Sequence, residues 1–135
     1  MPESIKTLEI SGKNTISKND KGVFPKGLKV LKLFGYNKIS KIEEDVLPEN
    51  LEILKIDGNN RISEIERGVL PDGLETLKIN GNNTISKIEK GVLPESLKTL
   101  EINGDNTITN NEKEWLKEKY YNVNIKSYNK NDFFT

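Results

Sequence analysis

Three kinds of side chain able to do chemistry recur along this chain at one fixed interval. They are the amines of Lys32, Lys55 and Lys78, the carboxylates of Asp20, Glu43, Glu66, Glu89 and Glu112, and the amides of Asn14, Asn37, Asn60, Asn83 and Asn106, each set keeping the same step in sequence number. Carboxylates are hard oxygen ligands and could hold a divalent cation. Here one carboxylate per repeat closes no coordination shell, and Lys21, Arg67 and Lys90 offset the charge, so a solvated ladder is expected. The asparagines fall between apolar positions. Turned inward, they would bond to backbone groups of the adjacent turns, and each buried group left unpaired would cost about 1–3 kcal/mol. The lysines, if stacked on neighbouring strands, would stand about 4.8 Å apart and repel one another. An acidic partner would relieve that repulsion.

Other chemistry is excluded by composition. The chain has no histidine and no cysteine, which removes imidazole acid–base catalysis, thiolate nucleophiles and disulfides. It also lacks a glycine-rich phosphate cradle and a carboxylate pair placed out of register. No enzyme activity, metal site or cofactor is expected.

The elements that position these residues follow from the same interval. Prolines stand at 2, 25, 48, 71 and 94, and glycines at 12, 35, 58, 81 and 104. A unit this short cannot bury its own apolar face and must stack on its neighbours, so the chain reads as a solenoid. Its apolar columns are Ile5, Leu28, Leu51, Leu74 and Leu97, then Leu8, Leu31, Leu54, Leu77 and Leu100, then Ile10, Leu33, Ile56, Ile79 and Ile102. The last two alternate with polar residues, the period of a short strand. One strand per coil makes a parallel sheet. The glycine two residues later marks a corner that needs φ > 0. The return half carries isoleucines at spacings of three, then four, closed by Val-Leu-Pro, and predicts short 3₁₀ or irregular segments on the convex side.

The string Leu-x-x-Leu-x-Ile-x-Gly-x-Asn resembles a leucine-rich repeat. The Val-Leu-Pro-Glu-Ser-Leu junction at 92–97 looks like the FNIP-type leucine-rich repeats of giant viruses and social amoebae. The piece Leu-Pro-x-x-Leu-x-x-Leu is also similar to bacterial effector leucine-rich repeats, whose unit is shorter. The resemblance implies an α/β solenoid, a right-handed arc with one short parallel strand per coil, that binds a protein through its concave sheet face.

The whole chain, 1–135, reads as one domain: repeats from about 2 to 116, a cap over about 109–129 and a tail at 130–135. Thr109-Asn-Asn-Glu112 has the form of a capping box, and Trp115, Leu116 and Tyr120 follow at helical spacing as core plugs. Val123 and Ile125 continue the register into a sixth strand, with Asn129 at the ladder position. At the other end Ile5, Leu8 and Ile10 would lie along an uncovered edge.

The outward columns are Thr7, Val30, Ile53, Thr76 and Thr99; Glu9, Lys32, Lys55, Lys78 and Glu101; and Ser11, Phe34, Asp57, Asn80 and Asn103. The third changes residue type at nearly every step, as a displayed surface would. Val30, Phe34, Tyr36 and Ile53 form an apolar patch beside Lys32, Lys55, Lys78 and Asp57. This is the expected binding surface, and the expected partner is a protein with an acidic, partly apolar segment. With 21 basic and 21 acidic residues the net charge is zero, so neither nucleic acid nor membrane is expected. The absence of cysteine favours the cytoplasm, that of a host cell if the viral resemblance holds. A monomer or weak homodimer is expected. The alternative role is structural, self-assembly through the uncapped first repeat.

Overall fold

The computed structural model describes residues 5–11, 24–35, 46–58 and 62–127. Six strands make one parallel sheet in chain order: β1 (Thr7–Ile10), β2 (Val30–Leu33), β3 (Ile53–Ile56), β4 (Thr76–Ile79), β5 (Thr99–Gly104) and β6 (Asn122–Ser127). Among the described residues one helix, α1 (Asn110–Lys119), precedes the last strand. Every strand pairs with the next at a shift of one whole repeat, as in Leu8↔Leu31, Leu31↔Leu54, Leu54↔Leu77, Leu77↔Leu100 and Leu100↔Val123. The chain is therefore a leucine-rich-repeat solenoid.

Burial follows the alternation in sequence. Leu31, Leu54, Leu77 and Leu100 are wholly buried, and Leu33, Ile56, Ile79 and Ile102 nearly or wholly so, whereas the residues between them are half-buried. Burying one such side chain stabilises the fold by about 1.5–3 kcal/mol. Entry into β2 to β5 is set by a turn headed by proline: Leu51 N–H donates to Pro48 O at 3.2 Å and Leu74 N–H to Pro71 O at 3.1 Å, for example. Proline thus opens the approach to the strand as well as ending the return segment.

The corner glycines are required twice over. Gly58 has φ +90° and Gly81 φ +107°, a region that other residues occupy only with strain. A Cβ added to Gly81 would also run into the carbonyl oxygen of Gly58, and one on Gly58 into that of Gly35. Stacked corners leave no room for a side chain.

The convex side is irregular, with no 3₁₀ turn among the described residues. Its segments lie extended against one another, Thr84 N–H donating to Ile62 O at 2.8 Å and Thr107 N–H to Ile85 O at 2.9 Å. Ile62, Ile85 and Ile108 are buried beneath them. Coil five departs from this pattern and forms α1. The pattern Ser/Thr-x-x-Glu stands in each register, at Ser63–Glu66, Ser86–Glu89 and Thr109–Glu112. Only the last opens a helix, because Glu114 and Lys117 replace Gly91 (φ +90°) and Pro94, which stop a helix in the preceding coil.

Thr109 caps α1, its Oγ1 accepting from Glu112 N–H at 3.3 Å. Glu112 differs from the solvated carboxylate expected of it, because its Oε2 accepts the backbone N–H of Ile88 at 2.8 Å. Of the same column, Glu66 and Glu89 are exposed, and Asp20 and Glu43 lie outside the described residues. Leu116 is wholly buried, and buried Tyr120 donates its hydroxyl to Leu93 O at 3.2 Å. Trp115 is half-buried against the core, with Lys90 Nζ 5.9 Å from its ring centroid. Asn129 lies outside the described residues.

Candidate interaction surface

The outward residues of β1 to β5 form one face, and the parallel register fixes their neighbours. Val30 pairs with Ile53 and Ile53 with Thr76, while the next outward row runs Glu9, Lys32, Lys55, Lys78, Glu101. Val30, Lys32, Phe34, Ile53, Lys55, Asp57 and Lys78 are all half-buried and share this face; Tyr36 lies outside the described residues. Phe34 and Asp57 stand one residue past their strands, tied by Phe34 N–H to Ile10 O and Asp57 N–H to Leu33 O, each 2.8 Å.

The charges are arranged less simply than a bare lysine stack. Glu9 Oε1 lies 3.4 Å from Lys32 Nζ, and Glu101 is the register neighbour of Lys78. The row is thus closed by an acid at each end, with Lys55 and Lys78 between. Among the described residues these two lysines have no ion-pair partner. Asp57 is engaged already: its Oδ1 accepts from Asn80 Nδ2 at 2.8 Å. Asn80 Nδ2 also donates to Glu101 Oε2 at 3.2 Å, and Asn80 Oδ1 accepts from Asn103 Nδ2 at 2.8 Å. The face therefore carries an apolar patch on β2 and β3, a lysine row across β2, β3 and β4, and an amide network that runs from Asp57 after β3 to Asn103 on β5.

Sequence reasoning missed that network, although the column Asp57, Asn80, Asn103 was in view. It also missed the border beside the face, where Lys29 pairs with Glu52 at 3.4 Å and Lys98 with Glu75 at 2.7 Å. Opposite charges one repeat apart were the available signal. The bond and the charge of Glu75 hold the Lys98 amine above the usual lysine range.

Asn83 and Asn106 lie wholly buried behind the sheet, their Nδ2 atoms donating to Asn103 O at 2.7 Å and Lys126 O at 2.8 Å in the following coil. Their Oδ1 atoms have no hydrogen-bond partner among the described residues. Asn14, Asn37 and Asn60 lie outside the described residues. On the convex side a cleft of about 490 Å³ is lined by residues including Glu64, Glu66, Arg67, Lys87 and Glu89. Its charges are mixed, and among the described residues no group of three or more acidic, histidine or cysteine side chains could hold a metal ion. No helix among them is long and apolar enough to cross a membrane.

The FNIP repeat family model matches the chain three times in overlapping spans, at residues 17–59, 36–82 and 60–105. The chain belongs to the FNIP repeat family. The matched FNIP repeats contain β2 to β5 and leave β1, α1 and β6 outside. No curated protein is significantly similar to the chain. Among solved structures, the crystal structure of CroV588, described as a novel circular leucine-rich-repeat protein, is similar, with 20% identity and a TM-score of 0.48. The likeness covers 93% of this chain and 24% of that one, so this chain spans about a quarter of that protein's length.

Proposed function

We propose that this chain is a non-catalytic protein-interaction module, and that the solvent face of its sheet takes a protein segment both acidic and apolar. The family supports the coarse reading, an interaction scaffold. The observation that carries the finer one is the pair Lys55 and Lys78, in register on adjacent strands and without an ion-pair partner among the described residues. Val30, Ile53 and Phe34 lie beside them, half-buried. A carboxylate seated between the two amines would replace repulsion with attraction, and an apolar neighbour would cover the exposed parts of the three side chains. Glu9 and Glu101 at the ends of the row would reject a partner that is acidic along its whole length. The zero net charge supports neither nucleic acid nor membrane as the partner. The absence of cysteine supports a cytoplasmic setting, and the unbroken repeat register supports one domain over 1–135.

The test is binding of a fluorescent peptide that alternates glutamate and leucine, measured by anisotropy. Lys55→Glu with Lys78→Glu should weaken binding at least about tenfold, more at low than at high salt. A control of equal charge change on other surfaces, Lys87→Glu with Lys113→Glu, should leave it unchanged. Equal losses in both pairs, or no binding by the unmodified chain, would sink the assignment.

A further inference from the structure

The sheet has two edge strands, β1 and β6. On β1 the inward residues Ile5, Leu8 and Ile10 are half-buried, while their register counterparts Leu28, Leu31 and Leu33 are at most 2% exposed. On β6, Val123 is half-buried and Tyr121, just before the strand, is 95% exposed. We propose that copies of this chain associate head to tail, with the outer edge of β1 in one copy adding in parallel to the outer edge of β6 in the next. This interface is separate from the sheet-face reading and does not depend on it.

The columns match across such a junction at every step. Continuing the register by one coil sets Ile5 on Tyr120, Leu8 on Val123 and Ile10 on Ile125, apolar against apolar. Outward, Thr7 meets Asn122 and Glu9 meets Asn124, so no like charges face one another. Tyr121 stands in the column of Lys29, Glu52, Glu75 and Lys98, whose first member is Lys6. In the assembly its ring lies between Lys98 and the neighbouring copy's Lys6, a cation–π position.

The backbone matches as well. The bonds Val30 N–H to Lys6 O, Ile53 N–H to Lys29 O, Thr76 N–H to Glu52 O, Thr99 N–H to Glu75 O and Asn122 N–H to Lys98 O are all 3.0 Å. One further step brings the Thr7 N–H of the next copy to Tyr121 O. Because Val30 takes the carbonyl of Lys6, the Thr7 N–H points away from β2. Pairing two β1 edges with each other fits less well. Antiparallel pairing about Leu8 sets Ile10 against Lys6, and the register that joins Leu8 to Ile10 sets Glu9 against Glu9. The head-to-tail contact is heterologous and joins unlike ends, so association continues past the dimer unless a ring closes.

Sedimentation velocity of the full chain from about 1 to 200 µM provides the test, a span that covers weak to moderate association. The unmodified chain should gain mass with concentration, to species larger than a dimer. Leu8→Lys blocks the β1 edge and Val123→Lys the β6 edge, so each variant alone should remain a monomer. Mixed one to one, they keep one good edge each and should form a defined heterodimer that grows no further. Should Leu8→Lys unfold the first coil, as circular dichroism would reveal, Thr7→Pro replaces it, since that change removes only the outward N–H of an exposed edge residue. An unmodified chain that stays monomeric throughout overturns the proposal. So does a Val123→Lys variant that still associates alone, which would assign the contact to two β1 edges instead.

Discussion

The two ends of the sheet solve the same problem differently. At the β6 end, α1 brings Leu116 and Tyr120 over the core, and both are buried. Asn122, Asn124 and Lys126 face outward on that strand, so its solvent face is polar. At the β1 end the inward residues Ile5, Leu8 and Ile10 remain half-buried, on a strand of four residues without proline, and its one charge, Glu9, is paired with Lys32. The repeat therefore does not dictate how a terminus is finished. Glu114 and Lys117 stand where the preceding coil has Gly91 and Pro94, so the capped coil lacks both of those helix breakers. The contrast teaches that end chemistry in this chain is local and can be altered apart from the shared core.

The widest separation between the ends should come from core truncation. Leu116→Ala is expected to cost about 2–5 kcal/mol, since it empties a site with no solvent access. Leu8→Ala should cost about half as much or less, because part of that side chain is wet in the native state. Urea denaturation of both variants checks the ranking, and equal losses would remove the distinction between the ends. A smaller effect is expected at the junction of α1 with the preceding coil. Glu112→Ala leaves the Ile88 N–H without its carboxylate acceptor and should cost about 1–3 kcal/mol. Hydrogen exchange should show that amide losing protection while the amides of β2 and β3 keep theirs.

The smallest effect is a pH dependence confined to the capped end. Burial holds the Tyr120 hydroxyl above its ordinary value of 10.0. The fold thus favours the neutral phenol. Its contribution is complete below that ordinary value and is lost as pH rises through the higher folded one. Lys119 beside it is also held above its ordinary 10.5, first through its bond to Glu95, so its contribution fades in the same direction. Stability should therefore fall more steeply above about pH 10 in the unmodified chain than in Tyr120→Phe, which keeps Lys119 but has no proton to lose. Identical alkaline profiles would show that the phenol is not coupled to folding.

Much of this architecture was legible before any coordinates, because the repeat is written in residue types that pack. The strand columns, the corner glycines and the sixth strand at Val123 and Ile125 all follow from the constant step between prolines. What could not be read is which polar atoms meet. Glu9 and Lys32 were known neighbours, but their pairing depends on the rotamers of two long side chains. The bridge from Asp57 through Asn80 to Asn103 likewise depends on which way an amide turns. Glu112 shares its column with Glu66 and Glu89, yet only it accepts the Ile88 amide, because α1 holds it in place. Gly68 and Gly91, with φ of +82° and +90°, keep their convex turns from becoming helices, a backbone state that residue type alone does not specify.

The stacked corners carry an evolutionary consequence. Gly58, Gly81 and Gly104 are each made obligatory by the carbonyl of the preceding corner, so the constraint passes from coil to coil in one direction. Duplicating or deleting a whole unit preserves every such meeting, while gaining or losing a single residue between corners would misalign all those beyond it. Lineages of this protein should therefore differ in length by steps of one full turn.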